Sequence, residues 1–312
     1  MRPLFAFSIL LLSWTVLSQL AAQTLNVQTF GDPAAPPVVY IHGGPGYNSV
    51  PFERLVADSL AAAGLYVLSY DRRGEGRHES IPARHDFAQS ITDLDSILNA
   101  FEVESAVLIG HSFGGMVATK FAISHPDRVK ALALLGAPIS VGASLSHIER
   151  TVTDIYRANN DTVNLAYIDM LADMDTTSMM YASYCFSHAL QAGLYRSDSI
   201  CDYATSLYQR FATDSLLMEF GSKFGMGAAF GFWSTEKYTT IDLSAELRQI
   251  VDNRVPVVGL YGEEDGLYPA SQLEHLGELI GPDKVTILEN CSHNVFIDRQ
   301  ATFIRYIKYL SR

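Results

Sequence analysis

The stretch Gly110-His111-Ser112-Phe113-Gly114-Gly115 sets one serine among small residues, after an apolar run and before a helical pattern. A serine hydroxyl attacks a carbonyl only when a base takes its proton, and a sharp strand-to-helix turn exposes it at the strand's end. Glycines around it let strand and helix approach closely. The helix N-terminus then offers N–H groups to a developing oxyanion. A second turn, His42-Gly43-Gly44-Pro45-Gly46, follows another apolar run. Its glycines free a main-chain N–H for the same oxyanion. The two turns predict Ser112 as nucleophile and the Gly44 and Phe113 N–H groups as oxyanion donors. His42 is read as a residue that holds its loop.

A base must reach the hydroxyl, and an acid must orient the base. His293, in Asn290-Cys291-Ser292-His293-Asn294, is the one of nine histidines that follows the last strand-like run. Asp265 closes Leu260-Tyr261-Gly262-Glu263-Glu264-Asp265, directly after the preceding strand-like run. Glu263 and Glu264 compete with it; the Gly-x-x-Asp turn favours Asp265 at the inner corner. The loop Asp71-Arg72-Arg73-Gly74-Glu75-Gly76 is read as structural, with Asp71 and an arginine pinning it near the oxyanion turn. It lacks the third glycine and the helix of a dinucleotide fingerprint.

These residues need a scaffold that brings distant turns to one edge. Pro37–Ile41, Leu65–Tyr70, Ser105–Gly110, Val129–Leu135, Val255–Tyr261 and Lys284–Leu288 are near-continuous apolar runs. Such runs mark parallel strands covered on both faces. Asp86–Phe101 carries apolar residues at helical spacing, Phe113–Ser124 suits a buried helix, and Ser271–Ile280 ends at Gly281-Pro282. Strand–helix alternation predicts an α/β fold, a mostly parallel sheet flanked by helices. The alternation stops after Pro138. Residues 139–245, rich in Tyr, Phe, Met and Ala, read as an inserted helical lid between core parts 23–138 and 246–312. Six of the eight methionines lie in that insertion, which suggests an adaptable apolar pocket.

The chain has 312 residues, 48% of them hydrophobic, and a net charge of −12, which excludes disorder and argues against nucleic-acid or anionic-lipid partners. Residues 1–22 are laid out as a secretory signal peptide, with one early cation, an apolar run, and small residues before a cut after Ala22. Export to a periplasmic or extracellular space is therefore expected, with no membrane span in the mature chain. Three cysteines are too few for a disulfide framework or a zinc site. Cys185 and Cys201 pairing, with Cys291 left over, and three buried free thiols are both open.

With these motifs in hand, the chain resembles an α/β-hydrolase. Over residues 24 to 312 it is most similar to the prolyl aminopeptidase (proline iminopeptidase) branch. His42-Gly43-Gly44-Pro45-Gly46 carries that likeness, as does Asp71-Arg72-Arg73-Gly74-Glu75-Gly76, close to the branch's Asp-Gln-Arg-Gly-x-Gly. The resemblance implies an α/β-hydrolase fold, a Ser112–Asp265–His293 triad in the family's order, and an acyl-enzyme route needing no metal or cofactor. It implies a small-molecule or short-peptide substrate. There are departures. The elbow reads Gly-His-Ser-Phe-Gly, as in many esterases, not the branch's Gly-Gly-Ser-Trp-Gly. The branch's lid glutamates, which hold a substrate amine, have no clustered counterpart: Glu149, Glu219 and Glu236 are widely spaced. Dehalogenases and epoxide hydrolases carry Asp at the elbow, where this chain has Ser112. A small-peptide aminopeptidase is expected first, a carboxylesterase or lactone hydrolase second. A catalytically silent binding protein is the reading from another class.

Overall fold

The structure is a computed structural model that describes residues 25–312. The expected signal peptide lies outside the described residues. Seven strands form one sheet in the order β1-β3-β2-β4-β5-β6-β7. They are β1 (Gln28–Phe30), β2 (Pro37–Ile41), β3 (Tyr66–Tyr70), β4 (Ala106–His111), β5 (Val129–Leu135), β6 (Val257–Gly262) and β7 (Val285–Leu288). β1 pairs antiparallel with β3, Gln28 opposite Ser69; every other pairing is parallel. The six expected strands are all present, within two residues at each end. β1 is the addition.

Alternation of side chains across the pleat divides the apolar runs between two cores. In β2, Val39 and Ile41 join one cluster and Val38 and Tyr40 the other. In β4, Leu108 faces the first and Val107 and Ile109 the second. The first core is capped by α2 (Phe87–Ala100), α3 (Phe113–Ser124), α10 (Ser244–Asp252) and α11 (Ala270–Ile280). The second is capped by α1, three consecutive helical pieces at Val50–Phe52, Glu53–Ala57 and Asp58–Ala62. With α1 stand α12 (Val295–Asp298) and α13 (Gln300–Leu310). There the Tyr40 ring stacks on Phe52, and Phe296 and Phe303 meet Phe52 edge-on. Burial on both faces is why β4 shows no polar alternation.

Between β5 and α10 the described chain forms six α-helices, with three short 3-10 turns among them. The α-helices are α4 (Val141–Ala158), α5 (Thr162–Asp169), α6 (Met179–Gln191), α7 (Asp202–Gln209), α8 (Ser215–Phe220) and α9 (Met226–Glu236). The single bridge Ser140–Asp242 closes the base of this insertion, and Leu243 N–H donates to Ile139 C=O. Among the described residues no helix is long and apolar enough to cross a membrane, and no cluster of three metal-ligating side chains is present. All three cysteines are free; Cys185 and Cys291 are buried, but Cys201 is exposed, so neither expectation for them holds entirely.

Because the strands are parallel, the segments that follow them emerge at one edge of the sheet, where α/β folds build their sites. His42, Asp71, Ser112, Gly136, Asp265 and His293 all follow strands β2 to β7 there. Helix α2 brings a local anchor: the Asp86 carboxylate accepts from Gln89 N–H at 2.6 Å, an N-cap three residues ahead of its partner. Asp86→Ala is expected to destabilise the fold by about 1 kcal/mol, with Asp86→Asn recovering most of the loss. Urea midpoints at constant m-value check this.

Candidate active site

Ser112 sits between β4 and α3 at φ 52°, ψ −124°, a left-handed conformation that a serine adopts only when its surroundings impose it. The imposing contacts are close. A Cβ on Gly114 would lie 2.1 Å from Ile41 O and 2.6 Å from His42 O, so α3 starts directly against the end of β2. Ser112 N–H donates to Leu135 C=O at 2.9 Å, which continues the ladder and turns the side chain away from the sheet. The hydroxyl stands beside Tyr268. Burial first, then Asp265, pushes the Tyr268 phenol well above its usual range, with Ser112 acting the other way. Tyr268 is thus a neutral donor, and its OH bonds Gly136 C=O at 2.6 Å.

His293, between β7 and α12, is buried, and its Nδ1 meets Asp265 Oδ2 at 2.9 Å. With Nδ1 committed to the carboxylate, Nε2 is the nitrogen left for a hydroxyl. The acidic competitors go elsewhere: Glu263 is exposed, and Glu264 accepts from the Asp198 N–H. The His293 loop is fixed from behind by Asp298, whose Oδ2 accepts from Ser292 N–H and Oγ–H; its Oδ1 accepts from Tyr208 OH at 2.8 Å. His111 Nε2–H donates to His293 C=O at 3.2 Å, and burial, then His293, pushes the His111 pKa well down. His111 is therefore neutral. No hydrogen bond joins Ser112 to His293; both side chains line one cavity with Gly44 and Phe113, and Asp265 stands behind His293.

Gly44 lies at φ 119° and Phe113 opens α3. Among the described residues neither N–H finds an acceptor, which leaves both available to an anion. The Gly44 turn is held by a buried network. Asp71 and an arginine pin their own loop beside it, as expected: Asp71 takes Ser49 and Arg77. Arg72 and Glu75 hold the Gly44 turn itself. Arg72 donates through Nη1 to His42 C=O and through Nη2 to Gly43 C=O at 2.7 Å, and Glu75 Oε2 accepts from Gly46 N–H at 2.6 Å. His42 holds the loop as expected. Its Nε2 accepts from Arg72 N–H at 3.0 Å, so Nδ1 carries the proton and donates to Gly43 C=O at 2.8 Å.

The cavity has a volume of about 910 Å³ and lies between the sheet edge and the inserted helices. Met116, Met179, Phe186, Leu190, Phe224 and Phe296 give its walls an apolar character. The insertion is tied to the oxyanion turn by three bonds. Gly225 N–H donates to Gly46 C=O at 2.8 Å, Tyr47 OH to Gly221 C=O at 2.6 Å, and Asn48 Nδ2 to Phe220 C=O at 2.8 Å. Tyr268, Asp298, Arg72 and Glu75 went unassigned in the sequence reading; only the Arg72–Glu75 loop carried a motif that could have marked them.

The sequence model of the family described as alpha/beta hydrolase fold matches residues 36–300, and the chain belongs to that family. Within it, the chain is 26% identical over 282 residues to 2-hydroxy-6-oxo-2,4-heptadienoate hydrolase of Pseudomonas putida, covering 88% of each. It is 22% identical over 281 residues to the proline iminopeptidase PfmaB of Pestalotiopsis fici, covering 89% of this chain and 92% of that one. Matches of higher identity are shorter: an epoxide hydrolase of Mycobacterium tuberculosis reaches 38% over 119 residues, 35% of its own length. Among solved structures, a proline iminopeptidase-related protein of Thermus thermophilus superposes with a TM-score of 0.62, at 18% identity, over 91% of each chain.

Two expectations follow from this geometry. Gly114→Ala drives a methyl group into main-chain oxygens and abolishes the folded elbow, whereas Gly227→Ala, on α9 with nothing within 4 Å of the new carbon, leaves stability unchanged or slightly raised. Thermal melts of both variants compare them. Burial first, then the Arg72 charge, lowers the His42 pKa from 6.5 to about 4. The unfolded chain therefore takes up a proton that the folded chain refuses between those values. The neutral imidazole's advantage is complete above pH 6.5 and is lost as pH falls toward 4. In His42→Gln, unfolding free energy between pH 6 and 4.5 should fall less steeply, by about 1 kcal/mol per pH unit.

Proposed function

We propose that this protein is a serine hydrolase working through an acyl-enzyme. One observation carries the reading: a strained serine, a buried histidine–carboxylate pair and two unengaged N–H donors all gather about one apolar cavity. Ser112 attacks a substrate carbonyl while His293 takes its proton through Nε2. Asp265 holds the imidazole in the tautomer that leaves Nε2 free and stabilises the imidazolium. The Gly44 and Phe113 N–H groups receive the oxyanion. His293 then protonates the leaving group, activates water, and the acyl-enzyme is hydrolysed. The inserted helices act as a lid that excludes water from this chemistry.

The cavity wall favours an apolar acyl substrate, such as a carboxylic ester. Among the described residues its one carboxylate is Asp298, already bonded to Ser292 and Tyr208, so none of them offers a free acid to a substrate amine. Glu149 bonds Tyr181, and Glu236 bonds the Phe87 N–H. An aminopeptidase of the prolyl type is the second reading, favoured by the His42–Gly46 motif and by the relative PfmaB, which is aligned along nearly its whole length.

A fluorophosphonate probe should label the folded protein and fail to label Ser112→Ala. Ester turnover should drop by at least about 10³-fold in Ser112→Ala and in His293→Ala. Labelling that survives Ser112→Ala, or a folded wild type that neither labels nor turns over esters, refutes the enzyme reading. Short and long acyl p-nitrophenyl esters beside Pro-, Ala- and Leu-anilides decide the substrate class. Anilide turnover exceeding ester turnover makes the protein a peptidase.

A further inference from the structure

A peptide unit has two ends, and the oxyanion donor Gly44 N–H shares its plane with the Gly43 C=O. That carbonyl accepts two hydrogen bonds, from Arg72 Nη2 at 2.7 Å and from His42 Nδ1 at 2.8 Å. Fixing the oxygen fixes the direction of the N–H at the opposite side of the same rigid plane. A cationic donor also draws electron density toward the oxygen and strengthens the N–H as a donor, since linked hydrogen bonds polarise one another. The guanidinium's other nitrogens leave it no freedom. Nη1 bonds His42 C=O, Nε bonds Glu75 Oε1 at 2.7 Å, and Nη2 also meets Glu75 Oε2 at 2.9 Å. Arg72 and Glu75 are 3% and 0% exposed, so water does not screen the charge. The same guanidinium carbon lies 5.3 Å above the ring of Phe113, whose N–H is the second donor.

We infer that Arg72 is the positioning residue of the oxyanion site, aiming and polarising the Gly43–Gly44 peptide, with Glu75 as the part that fixes the guanidinium. The inference rests on the hydrolase reading above and deepens it. Lysine cannot reproduce the role. Its ammonium is a point donor without the planar fork that reaches two carbonyls and a carboxylate together. A structural pin alone would only need the loop to stay folded. A polarising pin must act on the transition state, where the oxyanion exists, and leave ground-state binding untouched.

The experiment compares wild type, Arg72→Lys, the charge-neutral double variant Arg72→Met with Glu75→Gln, and the exposed-site control Arg84→Gln. Each is assayed with p-nitrophenyl butyrate and with an arylboronic acid, whose adduct on a serine carries a tetrahedral anion. Both Arg72 variants should lose kcat by about 10- to 100-fold with KM within about twofold, and boronate affinity should weaken in step with kcat. Arg84→Gln should match wild type. The double variant removes both buried charges at once, so no lone ion is left inside. Where it does not fold, Arg72→Lys, which keeps a cation opposite Glu75, decides alone. Unchanged kcat in a folded Arg72 variant overturns the inference. So does a kcat loss with unaltered boronate affinity, or a loss that falls on KM. A wild type that neither turns over the ester nor binds the boronate overturns the hydrolase reading itself, and this inference with it.

Discussion

The contact between the end of β2 and the start of α3 governs this molecule. Gly114 lies so close to the carbonyls of Ile41 and His42 that no side chain fits between them. That closeness places the Ser112 turn and the Gly44 turn side by side, each on the end of a neighbouring parallel strand. It also accounts for the Ser112 backbone, since a helix begun this near to β2 cannot be entered from β4 without a sharp reversal. The two sheet cores hold the strands rigidly enough for that strain to persist. The apolar runs and the turns at the sheet edge are therefore one design, in which packing on both faces supplies the force that holds Ser112 in its strained conformation.

Charge in the interior follows the same logic. Burying an arginine and a glutamate is costly unless each is paired and its remaining donors are satisfied. Here the Arg72 donors find Glu75 and two main-chain carbonyls, and Glu75 also takes the Gly46 N–H. A second network, Arg77 with Asp71, Glu53 and Ser49, stands beside it. Burial pushes the Asp71 carboxyl up, but Arg77 and its other partners outweigh that push and hold it below the usual carboxylate range. Specific geometry at the turns comes from these pairs, because the loops themselves carry little apolar surface.

Much of this was legible in the residues. Pro37–Ile41 and Val129–Leu135 stand in the structure with the limits their apolar runs suggest, and Asp265 and His293 meet as their turns implied. Local pattern reports these well because a doubly covered strand has an unbroken apolar sequence. β1 escaped notice because three residues with a polar pair, on an antiparallel edge, have no such signature. Helix α1 was missed because its proline, in the first turn, reads as a breaker and a wider π-turn follows it. The partner of Arg72 was not legible for another reason. Asp71, Glu75 and two neighbouring arginines all lie within five residues, and only the fold decides which acid faces which cation. Tyr268 and Asp298 act on residues distant in the chain or across a turn, and neither has a motif of its own.

The three bonds from Gly46, Tyr47 and Asn48 to residues 220–225 join the roof of the cavity to the backbone of the Gly43–Gly46 turn. A roof attached at that point cannot swing aside as a free door without dragging the Gly43–Gly44 peptide out of alignment. On the hydrolase reading we propose, substrate and product pass at a margin other than the one above Gly46. On that reading admission and chemistry are mechanically separated, since the latched flank keeps the Gly43–Gly44 peptide in place.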